Sequence, residues 1–158
     1  MSIPLYGQNK AGEALGSVSQ SRGYLSITAG LTLDGTEGGV ISIADTGACA
    51  IVLPTISAAL HGLEYKFIMA VDAGGSITIT STDQAGDYYQ GTLAVHSVDA
   101  DDGFAANGSS NNIITMNAGT TGGLLGSEVN LRAHYKTGWI AWGNVHGTDA
   151  TGATPFSG

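Results

Sequence analysis

Between Ala50 and Thr82 the apolar side chains fall on every second residue, and that period constrains the fold more than any other feature of the chain. Ile51 and Leu53 alternate in a first run, Tyr65, Phe67, Met69 and Val71 in a second, and Ile77 and Ile79 in a third. A period of two sends successive side chains to opposite faces of an extended strand, so each run can bury one face and leave the other to solvent. Pro54 cannot donate to a ladder and ends the first run. Ile56 to Leu60 can form one helical turn, which Gly62 would close. Asp72-Ala73-Gly74-Gly75 has the glycines of a turn between the second and third runs. The expected unit is a strand, a small crossover and a hairpin.

The rest of the chain reads as more strands added to that unit. Leu25, Ile27, Ala29, Leu31 and Leu33 alternate with polar neighbours, and Val40 to Ala44 follows a glycine-rich turn at 34–39. Tyr88 to Val98 and Ile113 to Asn117 are two further runs. Glu128 to Lys136 alternates cleanly, and Lys136-Thr137-Gly138 is a tight turn into Trp139 to Val145. Residues 99–112, DADDGFAANGSSNN, read as an exposed loop with Phe104 as its one large anchor. About nine short strands at regular turn spacing, with no sustained helical period, predict an all-β fold: an antiparallel β-sandwich or barrel. The domain is expected over 24–146. Residues 1–23 are small and polar with isolated apolar side chains at Ile3, Leu5, Tyr6 and Leu15, the pattern either of a disordered tail or of an extended N-terminal arm that orders against a neighbour. Residues 147–158 read as a polar C-terminal tail.

Charge narrows the partners. The chain carries a formal net charge of −8, which argues against gripping a phosphate backbone or an anionic membrane. No apolar run approaches the roughly 20 residues of a membrane-spanning helix. Only 11% of residues are charged, against about 25% in ordinary globular chains. A surface so poor in charge is expected to be covered by a partner or by further copies of the chain. The single cysteine, Cys49, falls in line with Ile51 and Leu53 and is expected as a buried structural thiol. Met1-Ser2-Ile3-Pro4-Leu5 has no basic segment followed by a long apolar one, so the chain is expected to be made in the cytoplasm without a secretion signal.

Nothing in the sequence localises a catalytic constellation, and the chain is read as a non-enzyme without cofactor or metal. The histidines His61, His96, His134 and His146 lie far apart and outside any metal-binding spacing. Asp99, Asp101 and Asp102 resemble the start of a calcium loop, but Ser110 stands where that loop needs a bidentate glutamate. Trp139 and Trp142 are three apart on an expected strand, so they must point to opposite faces. One enters the core and the other faces solvent or a partner, where tryptophan combines large area with low ordering cost.

The segment Ile51-Val52-Leu53-Pro54, then Gly62, Tyr65-Lys66-Phe67 and Ser76-Ile77-Thr78-Ile79-Thr80, resembles a pattern of tailed-phage structural proteins, notably head decoration (cement) proteins and some tail proteins. Gly91-Thr92, Gly126-Ser127-Glu128-Val129-Asn130-Leu131 and Gly138-Trp139-Ile140-Ala141 continue the likeness over roughly 40–145. The resemblance implies a virion protein on the outer capsid surface that binds the major capsid protein, often as a homotrimer, and stabilises the shell. Ile3, Leu5, Tyr6, Leu15, Phe104 and Trp142 are the side chains expected to touch partners. Two competing readings are a tail-fibre or receptor-binding module that recognises a host glycan or protein, and a small hydrolase on a jelly-roll scaffold.

Overall fold

The computed structural model of the chain describes residues 23–37, 39–82, 87–149 and 152–158. The arm residues Ile3, Leu5, Tyr6 and Leu15 lie outside the described residues. Among the described residues twelve strands carry the alternating runs: β1 (Tyr24–Ile27), β2 (Leu31–Thr32), β3 (Gly39–Ile43), β4 (Cys49–Val52), β5 (Glu64–Met69), β6 (Ile77–Thr80), β7 (Tyr89–His96), β8 (Asp101–Ala105), β9 (Ile113–Met116), β10 (Glu128–His134), β11 (Gly138–His146) and β12 (Phe156–Ser157). They form a seven-stranded sheet in the order β1-β3-β5-β10-β11-β7-β8 and a five-stranded sheet in the order β12-β9-β6-β4-β2. The all-β sandwich that the alternation predicts is the fold. The only helical element among the described residues is a 3₁₀ turn at Ala58–Leu60, closed by Gly62 at φ +83°, and no helix is long and apolar enough to cross a membrane.

The strand directions differ from the antiparallel expectation. From β1 to β6 the chain alternates between the sheets, so β1, β3 and β5 run parallel in one sheet and β2, β4 and β6 run parallel in the other. β11 and β7 are also parallel. The Asp72–Gly75 turn is therefore a crossing between sheets and not a hairpin, and the run Leu25 to Leu33 is two strands broken at a corner. A Cβ on Gly30 at that corner would stand 2.9 Å from the Ala50 carbonyl oxygen, so the chain turns there against the backbone of β4. Side-chain alternation has the same period in either strand direction and continues through a corner, so it could not reveal either feature. The one predicted hairpin that stands is β10–β11, where His134 pairs Gly138.

Two segments read as loop and tail belong to the sheets. Asp101–Ala105 forms edge strand β8, held by β7, with Phe104 opposite Leu93. The C-terminal residues return to pair with β9, and Phe156 is buried there. Aspartate, glycine and serine are poor strand formers, and here pairing and one aromatic anchor override composition.

Between the sheets lies a single core. β5 contributes Tyr65, Phe67 and Met69, β10 contributes Val129, Leu131 and Ala133, and β11 contributes Trp139, Ala141 and Val145; the facing sheet supplies Ile51, Ile77, Ile79, Ile114 and Met116. Cys49 is buried among them, as expected, and burial pushes its thiol above the ordinary pKa. Tyr89 donates its buried hydroxyl to the Ile79 carbonyl at 2.9 Å and so ties one sheet to the other. β7 can lie against β11 only because Gly91 has no side chain. Its φ is +106°, and a Cβ there would meet the Ala141 carbonyl oxygen at 2.1 Å. Gly91→Ala should lower folding stability by about 2 kcal/mol or more, read as a fall in the urea midpoint. An unchanged midpoint would mean that the two strands can separate at no cost.

Candidate functional site

Residues turned away from the core build the outer face of the seven-stranded sheet. β5 sends out Glu64, Lys66 and Ile68; β10 sends out Glu128, Asn130, Arg132 and His134; β11 sends out Ile140, Trp142 and Asn144. Register then aligns them in rows. One row across the strands reads Val40, Lys66, Asn130, Trp142 and Thr92. The next toward the hairpin holds Glu64, Arg132, Ile140 and Gln90.

The charged groups in these rows hold one another. Lys66 Nζ lies 2.6 Å from Glu128 Oε2, and Asn130 Nδ2 donates to Glu128 Oε1 at 2.8 Å. Lys66 and, after it, Asn130 hold the Glu128 carboxyl below its usual pKa. Arg132 reaches Glu64 Oε1 through Nη2 at 2.5 Å and Nε at 2.7 Å. The guanidinium carbon of Arg132 also lies 5.6 Å from the centroid of the Trp142 ring, a cation–π contact. Trp142 is 40% exposed, whereas Trp139 on the same strand is fully buried, which is the division that their spacing predicts. Beside the Trp142 ring a shallow depression of about 170 Å³ is lined by Gly39, Val40, Glu64, Tyr65, Lys66, Asn130 and Trp142. The patch is one aromatic ring flanked by Val40 and Ile140 and surrounded by paired charges and amides, an aromatic contact with a polar rim.

The other expected positions separate. Phe104 is half-buried and packs against the core from β8, so it is a packing residue on an edge strand where a loop anchor was expected. The histidines come together in two pairs, which sequence distance concealed. His61 and His134 meet edge to face at 4.9 Å, and His96 and His146 stack at 5.3 Å. Among the described residues no group of three or more His, Cys, Asp or Glu side chains could hold a metal ion. A second hollow, of about 520 Å³, lies where Thr32, Leu33 and Asp34 approach Pro54, Leu60 and Thr82. Asp34, the one carboxylate among its described lining residues, accepts from Thr36 Oγ1 at 2.6 Å and Thr36 N at 2.9 Å, which hold its pKa below the ordinary value.

At the far end of the outer face His96 Nδ1 meets Asp101 Oδ1 at 2.8 Å and Nε2 meets Asn144 Oδ1 at 3.2 Å. These bonds, Asp101 first, raise the His96 pKa. The fold therefore holds a proton that the unfolded chain has released between the ordinary imidazole pKa, about 6.5, and the raised value. The stability this supplies is complete below about pH 6.5 and is lost as pH rises through the raised value. Both side chains are exposed, so screening leaves roughly 0.5 kcal/mol. Asp101→Asn should remove the larger part of this decline from urea midpoints measured across that pH range, leaving the part due to Asn144, while the wild type keeps all of it.

Comparison of the chain with protein-family models, with curated proteins and with solved structures gave no match, so its role is argued from the geometry of the outer face.

Proposed function

We propose that this chain is a non-catalytic structural protein of a phage virion that coats the outer surface of the capsid and stabilises the shell by binding the major capsid protein. One observation carries the reading: Trp142, half-open to solvent beside Arg132 at the centre of a seven-stranded sheet. Tryptophan and arginine are the residues that most often anchor protein interfaces. A wide sheet holds them on a rigid support, so little ordering entropy is lost on docking. The neighbouring charges pair with each other and do not converge on a reacting atom, which favours holding over chemistry. Lys66 and Arg132 are engaged in those pairs and the chain is acidic, which disfavours nucleic acid as the partner.

A protein that binds the assembled shell and not its separated subunits stabilises the shell by RT ln(1 + [L]/Kd) at each site. Residues 1–23 would add a second, tethered contact across a capsomer boundary and multiply the affinity without a larger docked face. A second reading has its own support. The depression beside the Trp142 ring presents an amide and charged groups next to an aromatic face, a setting that also suits a sugar ring on a receptor-binding module.

Trp142→Ala and Arg132→Ala should each weaken binding to empty capsid shells by about 10- to 100-fold, with the thermal midpoint of the free protein nearly unchanged. Deleting residues 2–22 should reduce coating further. Cosedimentation with shells measures both effects. Undiminished coating by all three variants would remove the capsid reading. Loss of binding on a glycan array by Trp142→Ala, together with electron micrographs that locate the protein at the tail, would establish the receptor-binding alternative.

A further inference from the structure

The chain contains one Asn-Gly pair, Asn107-Gly108, in the segment that leaves β8 at the edge of one sheet and enters β9 in the other. Such a pair is chemically labile. Glycine has no Cβ to keep its nitrogen from the neighbouring side-chain amide, and asparagine is among the residues that heat degrades. In an unrestrained chain the Gly108 nitrogen gives up its proton and attacks Cγ of Asn107. An N–Cγ bond forms, the Cγ–Nδ2 bond breaks, and Nδ2 leaves as ammonia with a proton equivalent to the one Gly108 lost. One water then opens the cyclic imide to aspartate or to isoaspartate.

The fold opposes that attack at each point. The Gly108 N–H donates to the Tyr89 carbonyl at 3.1 Å, so the proton that must leave is held by β7. Asn107 Oδ1 accepts from the N–H groups of Ser109, Ser110 and Asn111 at 3.0, 2.9 and 3.1 Å, and Nδ2 donates to Ser110 Oγ at 2.7 Å. The side-chain amide is thus bonded through both its oxygen and its nitrogen. The backbone is tied at the same place: Asn107 N–H donates to Asn111 Oδ1 at 2.9 Å, and Tyr89 N–H to the Asn111 carbonyl at 2.7 Å. Three N–H groups on one amide oxygen polarise its carbonyl and would favour attack, but only by a nitrogen free to lose its proton, and that of Gly108 is engaged.

We infer that Asn107 is a site of spontaneous deamidation that the native loop holds shut, and that opening of 107–111 sets its rate. The reaction then runs only in the fraction of molecules whose loop is open. Opening breaks at least two hydrogen bonds, each worth a factor of about two to ten, so the folded chain should deamidate about tenfold or more slowly than the same residues in a free peptide. Isoaspartate would add a backbone atom to the link between β8 and β9 and displace the oxygen that three N–H groups hold. None of this depends on what the Trp142 face binds.

Peptide mapping with an isoaspartate-specific methyltransferase tests the inference, on the full chain and on a synthetic peptide of residues 103–112 kept in the same mildly alkaline buffer. Asn107 should persist about tenfold longer or more in the folded chain. Ser110→Ala removes the Nδ2 partner, and Asn111→Ala removes the acceptor of Asn107 N–H. Each should speed conversion in the folded chain by a few-fold, with the thermal midpoint nearly unchanged, and hydrogen exchange at the Gly108 amide should quicken in step. Equal rates in chain and peptide overturn the inference. So does a faster rate in the folded chain, since the three N–H groups would then be activating the amide. Conversion in both variants no faster than in the wild type overturns it as well.

Discussion

The interior shared by the two sheets is the constraint on which the rest depends. Each long strand gives one row of side chains to it, and rows from opposite sheets meet: Phe67, Leu131 and Trp139 on one side, Ile51, Ile79 and Ile114 on the other. Each such side chain contributes about 1.5–3 kcal/mol by leaving water. A single strand could bury none of them. The sheets are held face to face by that shared apolar layer, with Tyr89 adding a directed bond across it. Where backbones must approach more closely than side chains allow, as at Gly91 beside Ala141, the chain uses glycine and accepts its conformational freedom as the cost.

A rigid interior leaves the outer faces to differ. The seven-stranded sheet turns out Glu64, Lys66, Glu128 and Arg132 around Trp142. The five-stranded sheet turns out Ala50, Val52, Thr78, Thr80, Ile113 and Thr115, none of them charged. Among the described strands, every charged residue thus belongs to the seven-stranded sheet. Ion pairs among exposed groups add little to stability. Their consequence is positional, because they fix the Arg132 guanidinium against the Trp142 ring and give that face one shape.

The role proposed above asks this face to hold a partner. Catalysis needs ionisable groups of divergent pKa aimed at one point. Glu128, His96 and Asp34, whose shifts come from groups bonded to them, lie in separate places, and the thiol of Cys49 is shifted by burial in the core.

The sequence by itself determined the local facts. A period of two settled that the chain is β, which residues of Tyr65 to Met69 and of Val129 to Ala133 face inward, and that Trp139 and Trp142 part company, because pleating ties side-chain direction to residue parity. Only the tertiary structure decided which strand lies beside which. Parity is blind to strand direction, so the parallel winding of β1 to β6, the sheet crossing at Asp72 to Gly75 and the recruitment of Asp101–Ala105 and Phe156 were invisible in the residues. The site depended on the same information. Arg132 and Trp142 were each legible as outward-facing, but Glu64, Lys66 and Arg132 become one patch with Trp142 only because β5 and β11 flank β10, and the pairing of distant strands is settled by the whole core at once.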